Sequence, residues 1–330
     1  MNYIISIATI PKRLDYFKKS FQSIIHQTAI DKISEIIVNV DDNITNDELK
    51  QYDFLNEFLK VKVIKRLSKW KSANKLIWTY MDHKDDIIIA FDDDKDYPLN
   101  CIEELIKAYI EKGGGLIVCE ESNPTILRDD DFIEYRNDVE ITVGQLTFSK
   151  YLSNACLFPP HCFGDGKLLT DYDKMMEMTK GTHDELWFWL VSTLNKVYSY
   201  QLNSTYGCAI DGGNYKLDEV ALSNINCKPE RIHEYNIKVN EMFGKELLTI
   251  YDDTPIIIPI NRQNYEAVFF GMGYLHMLYG NYKVKFVCDE SIKKSHIYYI
   301  CNSAKNYKWK RKCIIEVPSN SSSSQDDKNK

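Results

Sequence analysis

Short apolar runs rich in β-branched residues alternate with stretches of helical periodicity through the first ~120 residues of the chain. The runs predict strands at residues 3–8, 36–40, 61–64, 86–91 and 116–119. The stretches between them predict helices near residues 14–26, 72–81 and 99–112, with Ser72 as the N-cap of the second. Such alternation is typical of βαβ units, in which helices cover both faces of a largely parallel sheet. The sequence therefore predicts an α/β protein.

Polar clusters follow three of these strands at the point where each strand ends. They are residues 9–13, the pair Asp41 and Asp42, and the run Asp92–Asp93–Asp94. Parallel sheets bind ligands outside the carboxyl ends of their strands. We therefore expect the three clusters to share one edge of the sheet and to form a site there.

Composition limits the class of protein. The chain has 330 residues, a formal net charge of −7 and a pI near 5.6, which argues against a dedicated nucleic-acid-binding protein. Nine cysteines without a C-x-x-C pair favour reduced thiols. No apolar run approaches the ~18 residues that cross a bilayer, and the N-terminal segment lacks the features of a secretory signal. We expect a cytoplasmic protein, at most peripheral on the inner face of the cytoplasmic membrane.

Three acidic or basic clusters have both a functional and a structural interpretation. Carboxylates at Asp92–Asp94 repel one another unless a cation such as a divalent metal neutralises them, although an acidic turn with Asp94 as a helix cap has the same pattern. Asp41 and Asp42 can accept hydrogen bonds from ribose hydroxyls or from a base N–H, or they can form an Asx turn. Lysines 69, 71 and 75 suit a phosphate near a helix N-terminus, or a solvated surface.

A second acidic cluster, Asp184–Glu185, runs directly into the aromatic stretch 187–189. A carboxylate at a helix N-terminus beside apolar walls can act as a general base. The structural alternative is that Thr182 or Asp184 caps the helix and the tryptophans are core. The segment 156–162, with two adjacent prolines, predicts a rigid loop that faces the substrate.

Taken in order, five elements resemble bacterial GT-A-fold glycosyltransferases of the family-2-like kind that build capsular or lipopolysaccharide glycans. The elements are Thr9-Ile10-Pro11-Lys12-Arg13, Asp41-Asp42, Asp92-Asp93-Asp94 with Tyr97-Pro98, Leu157-Phe158-Pro159-Pro160, and Asp184-Glu185-Leu186-Trp187. The resemblance covers roughly residues 1–200. It implies a Rossmann-like, mostly parallel sheet flanked by helices, with a small α+β appendage at the C-terminus.

The resemblance also implies roles for individual residues. The nucleotide sugar would contact a set of side chains at the sheet edge, namely Thr9, Pro11, Arg13, Asp41, Asp42, Lys75, Asp92 and Asp93. Asp94, with Asp92, would ligate Mn²⁺ or Mg²⁺ on the diphosphate as the outer residues of a D-x-D motif. Asp184 or Glu185 would deprotonate the acceptor hydroxyl. His183 departs from the family pattern, in which an acidic or small residue is usual, so the choice within the pair stays open.

The implied function is metal-dependent transfer, with inversion, of a sugar from a UDP-sugar to a hydroxyl of a bacterial surface glycan in capsule or lipopolysaccharide. Two alternatives use the same features: a sugar nucleotidyltransferase, and a catalytically silent module that binds a glycan or a nucleotide. Nucleotidyltransferases usually carry a glycine-rich phosphate loop near the N-terminus, which residues 9–13 do not provide.

The resemblance and the composition together predict three parts of the chain. Residues 1–252 would form the catalytic domain, with a nucleotide-sugar half at 1–120 and an acceptor half at 121–252. Residues 253–317 would form the C-terminal unit, and the polar tail 318–330 would be disordered. Within that unit, residues 283–312 hold nine Lys/Arg against two acids, which suits an anionic membrane or glycan, or a solvated exterior.

Overall fold

The computed structural model describes most of the chain. The described residues are 1–121, 125–129, 132–136, 146–147, 153–202, 210–211, 228–253, 255–262, 264–270, 284–289, 291–292 and 313–316, with single residues between 296 and 304. The tail 318–330 and most of the basic region 283–312 lie outside them, so disorder of the tail and peripheral membrane association stay predictions. In the described part of the chain, no helix is both long and apolar enough to cross a membrane.

The first half of the chain forms four neighbouring parallel strands. Their bounds are β1 Tyr3–Thr9, β2 Ile33–Asp41, β3 Val61–Arg66 and β4 Ile87–Phe91. Strand β1 lies between β2 and β4, and β3 lies outside β2. The four strands predicted in this region are confirmed, and so is their parallel arrangement.

The sheet continues with strands from the rest of the chain: β6 Ile117–Glu121, β9 Leu146–Thr147, β10 Ser153–Phe158, β11 Ser199–Gln201, β13 Ile256–Ile260, β14 Val284–Cys288 and β15 Cys313–Glu316. Antiparallel β10 lies between β4 and β6. The full order is β15-β14-β13-β9-β11-β6-β10-β4-β1-β2-β3. Two short pairs lie outside this sheet: β5 Lys95–Asp96 with β12 Ile210–Asp211, and β7 Thr125–Asp129 with β8 Phe132–Arg136.

Helices flank this sheet. They are α1 Leu14–Ile25, α2 Asn46–Lys50, α3 Ile77–Asp82, α4 Cys101–Glu111, α5 Tyr172–Thr179, α6 Asp184–Leu194, α7 Pro229–Asp253 and α8 Tyr265–Phe270. The mostly parallel sheet with its helices confirms the predicted Rossmann-like α/β fold class. The division of the chain at residue 253 stays a prediction; strands β13 to β15, from the predicted C-terminal unit, extend the main sheet.

The two faces of the sheet bury separate apolar clusters, because successive side chains of a strand point to opposite faces. Ile5 and Ile7 of β1 pack in the cluster that contains α1 and α4. Ile4 packs in the other cluster, where α3, α5 and α6 contribute. Helix α6 is apolar around nearly its whole circumference, and the indole N–H of its buried Trp187 donates to the Leu169 carbonyl at 3.0 Å. The rigid core therefore fixes the N-terminus of α6 relative to the sheet.

Two sequence predictions are wrong, the helix N-cap at Ser72 and the substrate-facing loop at residues 156–162. Ser72 is not a helix N-cap, because residues 68–75 form 3₁₀ turns and α3 begins only at Ile77. Near the C-terminus, the short apolar segment that contains Ile297 and Ile300 is helical at both residues, and Ile300 and Ala304, four residues apart, are both buried. The tertiary core decides such short apolar segments, whose local pattern fits either structure.

The loop at residues 156–162 does not face the strand-end site. Cys156 lies on β10 and is buried with Cys162 in the core. The backbone N–H of His161 donates to the Lys84 carbonyl, which precedes β4, so His161 lies at the opposite end of β4 from Asp92, whereas Cys156 pairs with Ala90 of β4. The six cysteines in the described ranges are thiols and not members of a disulfide.

Candidate active site

The predicted convergence of strand ends is present in the structure. Thr9 ends β1, Asp41 ends β2, and Asp92 follows β4, and these strands are parallel neighbours. Pro11 and Arg13 form a 3₁₀ turn directly after β1. The polar residues that lie far apart in the sequence are therefore brought to one edge of the sheet.

Helix α1 holds the acidic loop after β4 in place. The Ser20 hydroxyl donates to the Asp92 carbonyl at 3.1 Å, and Gln27 donates to the Pro98 carbonyl at 2.6 Å. The Tyr97 backbone N–H donates to the Ser23 hydroxyl at 3.0 Å, while the Tyr97 hydroxyl accepts from the backbone N–H of Asp92 at 2.9 Å. These contacts fix the backbone from which the three carboxylates project.

Arg13 lies beside two of those carboxyl groups. Its guanidinium forms an ion pair with Asp94 and lies 3.4 Å from Asp93. The Arg13 side chain is partly exposed, whereas Asp93 is buried and Asp94 is partly exposed. Asp94 is therefore the one of the two that a ligand can reach most easily.

Burial disfavours the ionised form of Asp93. It raises the pKa of Asp93 from 3.8 to about 7, against the opposing effect of Arg13 and together with the nearby charge of Asp94. Between pH 3.8 and about pH 7, Asp93 therefore carries a proton in the native protein, whereas it has lost that proton in the unfolded chain. This group reduces stability progressively as the pH rises through that window.

We expect Asp93→Asn to stabilise the protein by about 2 kcal/mol more at pH 8 than at pH 5. The reason is that the buried Asp93 carboxyl is ionised at pH 8 but not at pH 5, whereas the amide is neutral at both. Urea unfolding at the two pH values measures the difference. Asp96→Asn in the same loop is the control, since Asp96 is exposed. An equal change at both pH values for Asp93→Asn would contradict the role of burial.

The Asp41–Asp42 pair is linked to the 3₁₀ segment after β3. Asp42 accepts a hydrogen bond from the backbone N–H of Ser68 at 3.0 Å, and this bond lowers its pKa. Burial raises the pKa of Asp41, with a further contribution from Asp42, while Asn74 opposes the rise. Asp42 thus serves as the cap of the segment that carries Ser72 and Lys75.

That segment contains a kink at Lys71, whose backbone has φ 50° and ψ −131°. A non-glycine residue pays a conformational penalty in this region, and such strain persists where the surroundings fix the backbone. The kink separates residues 68–70 from the turn that contains Ser72 and Lys75. It therefore sets the direction in which the latter two side chains reach towards α6.

Helix α6 begins with the predicted acidic pair. The Ser72 hydroxyl donates to Asp184 Oδ1 at 2.9 Å. The Lys75 ammonium lies 3.1 Å from Asp184 Oδ2 and donates to Glu185 Oε1 at 3.2 Å. It also donates to Asp92 Oδ1 at 2.9 Å. One ammonium thus joins the acidic loop after β4 to the N-terminus of α6.

The two carboxyl groups of the acidic pair differ in pKa. Burial and the neighbouring Glu185 raise the pKa of Asp184 to about 7, with Lys75 opposing. Burial alone would also raise the pKa of Glu185, but Lys75 and then His183 outweigh it and lower the value below its usual range. His183 Nδ1 lies 3.7 Å from Glu185 Oε2. Near neutral pH the pair therefore favours a protonated Asp184 beside an ionised Glu185.

A divalent cation fits this donor set in part. Asp92 and Asp94 supply the oxygen ligands that Mn²⁺ or Mg²⁺ accepts, but Lys75 and Arg13 already contact one oxygen of each. Across the described ranges, no group of three or more His, Cys, Asp or Glu side chains is arranged to hold a metal. A cation at these carboxylates would need further oxygens from a ligand, such as those of a diphosphate.

Most of the predicted site residues meet at this edge, and three contributions were not predicted. Ser72 as a partner of Asp184, Tyr97 as an anchor of the acidic loop, and the contact of His183 with Glu185 all depend on long-range packing. Lys69, by contrast, lies over the ring of Tyr172, 4.2 Å from its centroid. Lys71 is exposed.

The comparisons with known proteins include two solved structures of low sequence identity. No family model and no curated protein matches the chain. Among solved structures, 4-diphosphocytidyl-2C-methyl-D-erythritol synthase is 12% identical, with a TM-score of 0.39 over 72% of this chain and 99% of its own. Residues 1–349 of S. aureus TarS, in complex with UDP, are 12% identical, with a TM-score of 0.42 over 93% of this chain and 89% of that one. At these values neither likeness bears on function, which has to be inferred from the side chains of the site.

Proposed function

We propose that this protein is a metal-dependent glycosyltransferase that transfers a sugar from a UDP-sugar to an acceptor hydroxyl. The observation that carries the proposal is the meeting of two acidic groups on one buried ammonium: Asp92 at the end of β4, and Asp184 with Glu185 at the start of α6. Direct sugar transfer needs a site for a charged leaving group beside a base for the attacking hydroxyl. This arrangement supports both.

The donor would lie along the edge formed by β1, β2 and β4. Thr9, Pro11, Asp41 and Asp42 would contact the base and the ribose, with Arg13 beside them. The site holds more carboxylates than cations, since Arg13 and Lys75 face Asp92, Asp93, Asp94, Asp184 and Glu185. An anionic diphosphate therefore needs an additional positive charge to bind here.

Asp94, with Asp92, would hold Mn²⁺ or Mg²⁺ in contact with the diphosphate. When bound, the cation would stabilise the negative charge that develops on the UDP leaving group. The protein's own contribution is to hold the two carboxylates on the loop that α1 anchors. Arg13 would have to release Asp94 for this contact to form.

Glu185 is the better candidate for the general base. Its side chain is 18% exposed, against 4% for Asp184, so an acceptor can reach it more easily. Asp184 Oδ1 accepts a hydrogen bond from Ser72, and its buried Oδ2 lies 3.1 Å from the Lys75 ammonium. Glu185 would take the proton of the acceptor hydroxyl as it attacks the anomeric carbon, which gives inversion in a single displacement.

The acceptor and the biological setting rest on the sequence resemblance alone. It favours a hydroxyl of a bacterial capsule or lipopolysaccharide glycan. The two alternative functions leave the proposed base at Glu185 without a role. A silent binding module needs no base, and a sugar nucleotidyltransferase, whose nucleophile is a phosphate, has no hydroxyl for Glu185 to deprotonate.

Thermal unfolding with a panel of nucleotides and nucleotide sugars, with and without Mn²⁺, tests the proposal. UDP and at least one UDP-sugar should raise the melting temperature only when Mn²⁺ is present, because a ligand that binds only the native state stabilises it. CDP, GDP and their sugars are the controls. Stabilisation by CTP or UTP with a sugar phosphate, and none by UDP-sugars, would favour the nucleotidyltransferase. Binding of a UDP-sugar without transfer of its sugar to any acceptor or to water, and so without release of UDP, would favour the silent module.

A further inference from the structure

Lys75 is a buried cation that contacts only protein carboxylates within the described structure. Its ammonium lies 2.9 Å from Asp92, 3.1 Å from Asp184 and 3.2 Å from Glu185, and only 9% of its side chain is exposed. An ammonium has three N–H donors. Two of these donors bond to Asp92 and Glu185, and Asp184 Oδ2 lies at ion-pair distance, so a ligand phosphate that approached the ammonium would meet three carboxylates around it. This differs from the role in nucleotide-sugar binding that the sequence resemblance implies.

The contacts come from parts of the protein that are distant in sequence. Lys75 lies 17 residues from Asp92 and 110 residues from Glu185 along the chain. The acidic loop after β4 is anchored by α1, whereas Asp184 and Glu185 are anchored by the core packing of α6. Lys75 is thus an ionic link between two independently supported parts of the site.

The charge of Lys75 is maintained despite burial. Three carboxylates, from Asp92, Asp184 and Glu185, lie within 3.2 Å of its ammonium and offset the cost of burying that charge. Without this ammonium, three carboxyl groups would face one another without a counter-ion. Mutual repulsion and burial would then favour their protonated forms and push them apart.

We propose that Lys75 is a positioning residue, which holds the proposed base Glu185 and the donor-binding Asp92 at a fixed separation and touches neither substrate. This inference rests on the proposed function. Lys75 acts on the reaction by keeping Glu185 ionised and oriented. Its loss therefore affects proton removal from the acceptor more strongly than it affects binding of the nucleotide.

The test compares Lys75→Met and Lys75→Arg with the wild type in two assays. Steady-state release of UDP from the accepted UDP-sugar is measured across pH, and calorimetry measures UDP affinity with Mn²⁺. Lys75→Met should lower kcat about 100-fold and move the acidic limb of the kcat profile upward by about one pH unit. UDP affinity should change less than about threefold. Lys75→Arg, which keeps the charge, should restore part of kcat and the original pH profile.

A spectroscopic readout separates this role from a merely structural one. Infrared difference spectra of the ligand-free protein report carboxyl protonation directly, and Lys75→Met should shift the titration of the site carboxyls to higher pH. If Lys75→Met does not fold, Lys75→Met combined with Asp184→Asn removes the ammonium together with one of the carboxyl groups that face it, and it provides the same comparison against Asp184→Asn alone.

Three results would overturn the inference. One is a tenfold or larger loss of UDP affinity in Lys75→Met with an unchanged pH profile, which would make Lys75 a ligand contact. Another is failure of Lys75→Arg to restore activity or the pH profile. The third is an unchanged carboxyl titration. If the wild type binds UDP but releases none from any UDP-sugar, the proposed function fails instead, while the infrared titration still reports whether Lys75 controls the carboxyls.

Discussion

Glu185→Gln is expected to lower kcat for sugar transfer by about 10³-fold while leaving UDP affinity nearly unchanged. The amide keeps the size and one oxygen of the side chain, so it preserves packing at the start of α6 and a contact with Lys75. It cannot accept a proton from the attacking hydroxyl. The measurements are UDP release under saturating donor and acceptor, and calorimetric binding of UDP with Mn²⁺.

Asp184→Asn is the matched control, since both substitutions remove one carboxylate from the same pair. Its effect on kcat near pH 7 should be only about tenfold, because Asp184 is half protonated there and its amide can still accept from Ser72. The reverse ranking, with the larger loss in Asp184→Asn, would move the role of base to Asp184. Equal small losses would remove the base from this pair altogether.

Asp94→Asn should reduce kcat by about 10²–10³-fold and weaken the Mn²⁺-dependent binding of UDP, because it removes a charged ligand for the cation that neutralises the leaving group. The fold should persist, since the Asp94 side chain is partly exposed and the loop is fixed by backbone contacts with α1. Calorimetric titration of UDP at several Mn²⁺ concentrations measures the binding effect apart from turnover.

Asp96→Asn, two residues further along the same loop, controls for general loss of negative charge, and it should leave both quantities within about twofold of the wild type. Arg13→Gln provides a second comparison. It frees Asp94 from its ion pair and should tighten Mn²⁺ binding in the absence of nucleotide. Unchanged Mn²⁺ dependence in Asp94→Asn would show that the cation binds elsewhere.

The strands of the first half follow from local sequence. Buried parallel strands need continuous apolar runs, and residues 3–8, 36–40, 61–64 and 86–91 show them within three residues of the observed bounds. The acidic positions were readable for the same reason, because a run of aspartates cannot continue a buried strand and so marks its end. The position of the sheet edge therefore follows from the apolar pattern of the strands and from the residues at which that pattern ends.

The segment 68–75 shows where local pattern was insufficient. Its sequence suggests a helix start at Ser72, yet the structure kinks at Lys71 and directs Ser72 and Lys75 to α6. No local signal could identify Asp184, 112 residues away, as the partner of Ser72. Lysine is also a surface residue by default, so the sequence gives no sign that Lys75 is buried.

The sequence by itself determined the α/β class, the alignment of Thr9, Asp41 and Asp92 at one sheet edge, and the presence of an acidic pair before an apolar helix. These are consequences of short-range rules, since periodicity fixes strands and parallel strands share one carboxyl edge. Only the tertiary structure decided which charges pair: Arg13 with Asp94, and Lys75 with Asp92, Asp184 and Glu185. Electrostatic partners depend on burial and on distances of a few ångströms between side chains, which the packing of α6 against the sheet sets and no local pattern encodes.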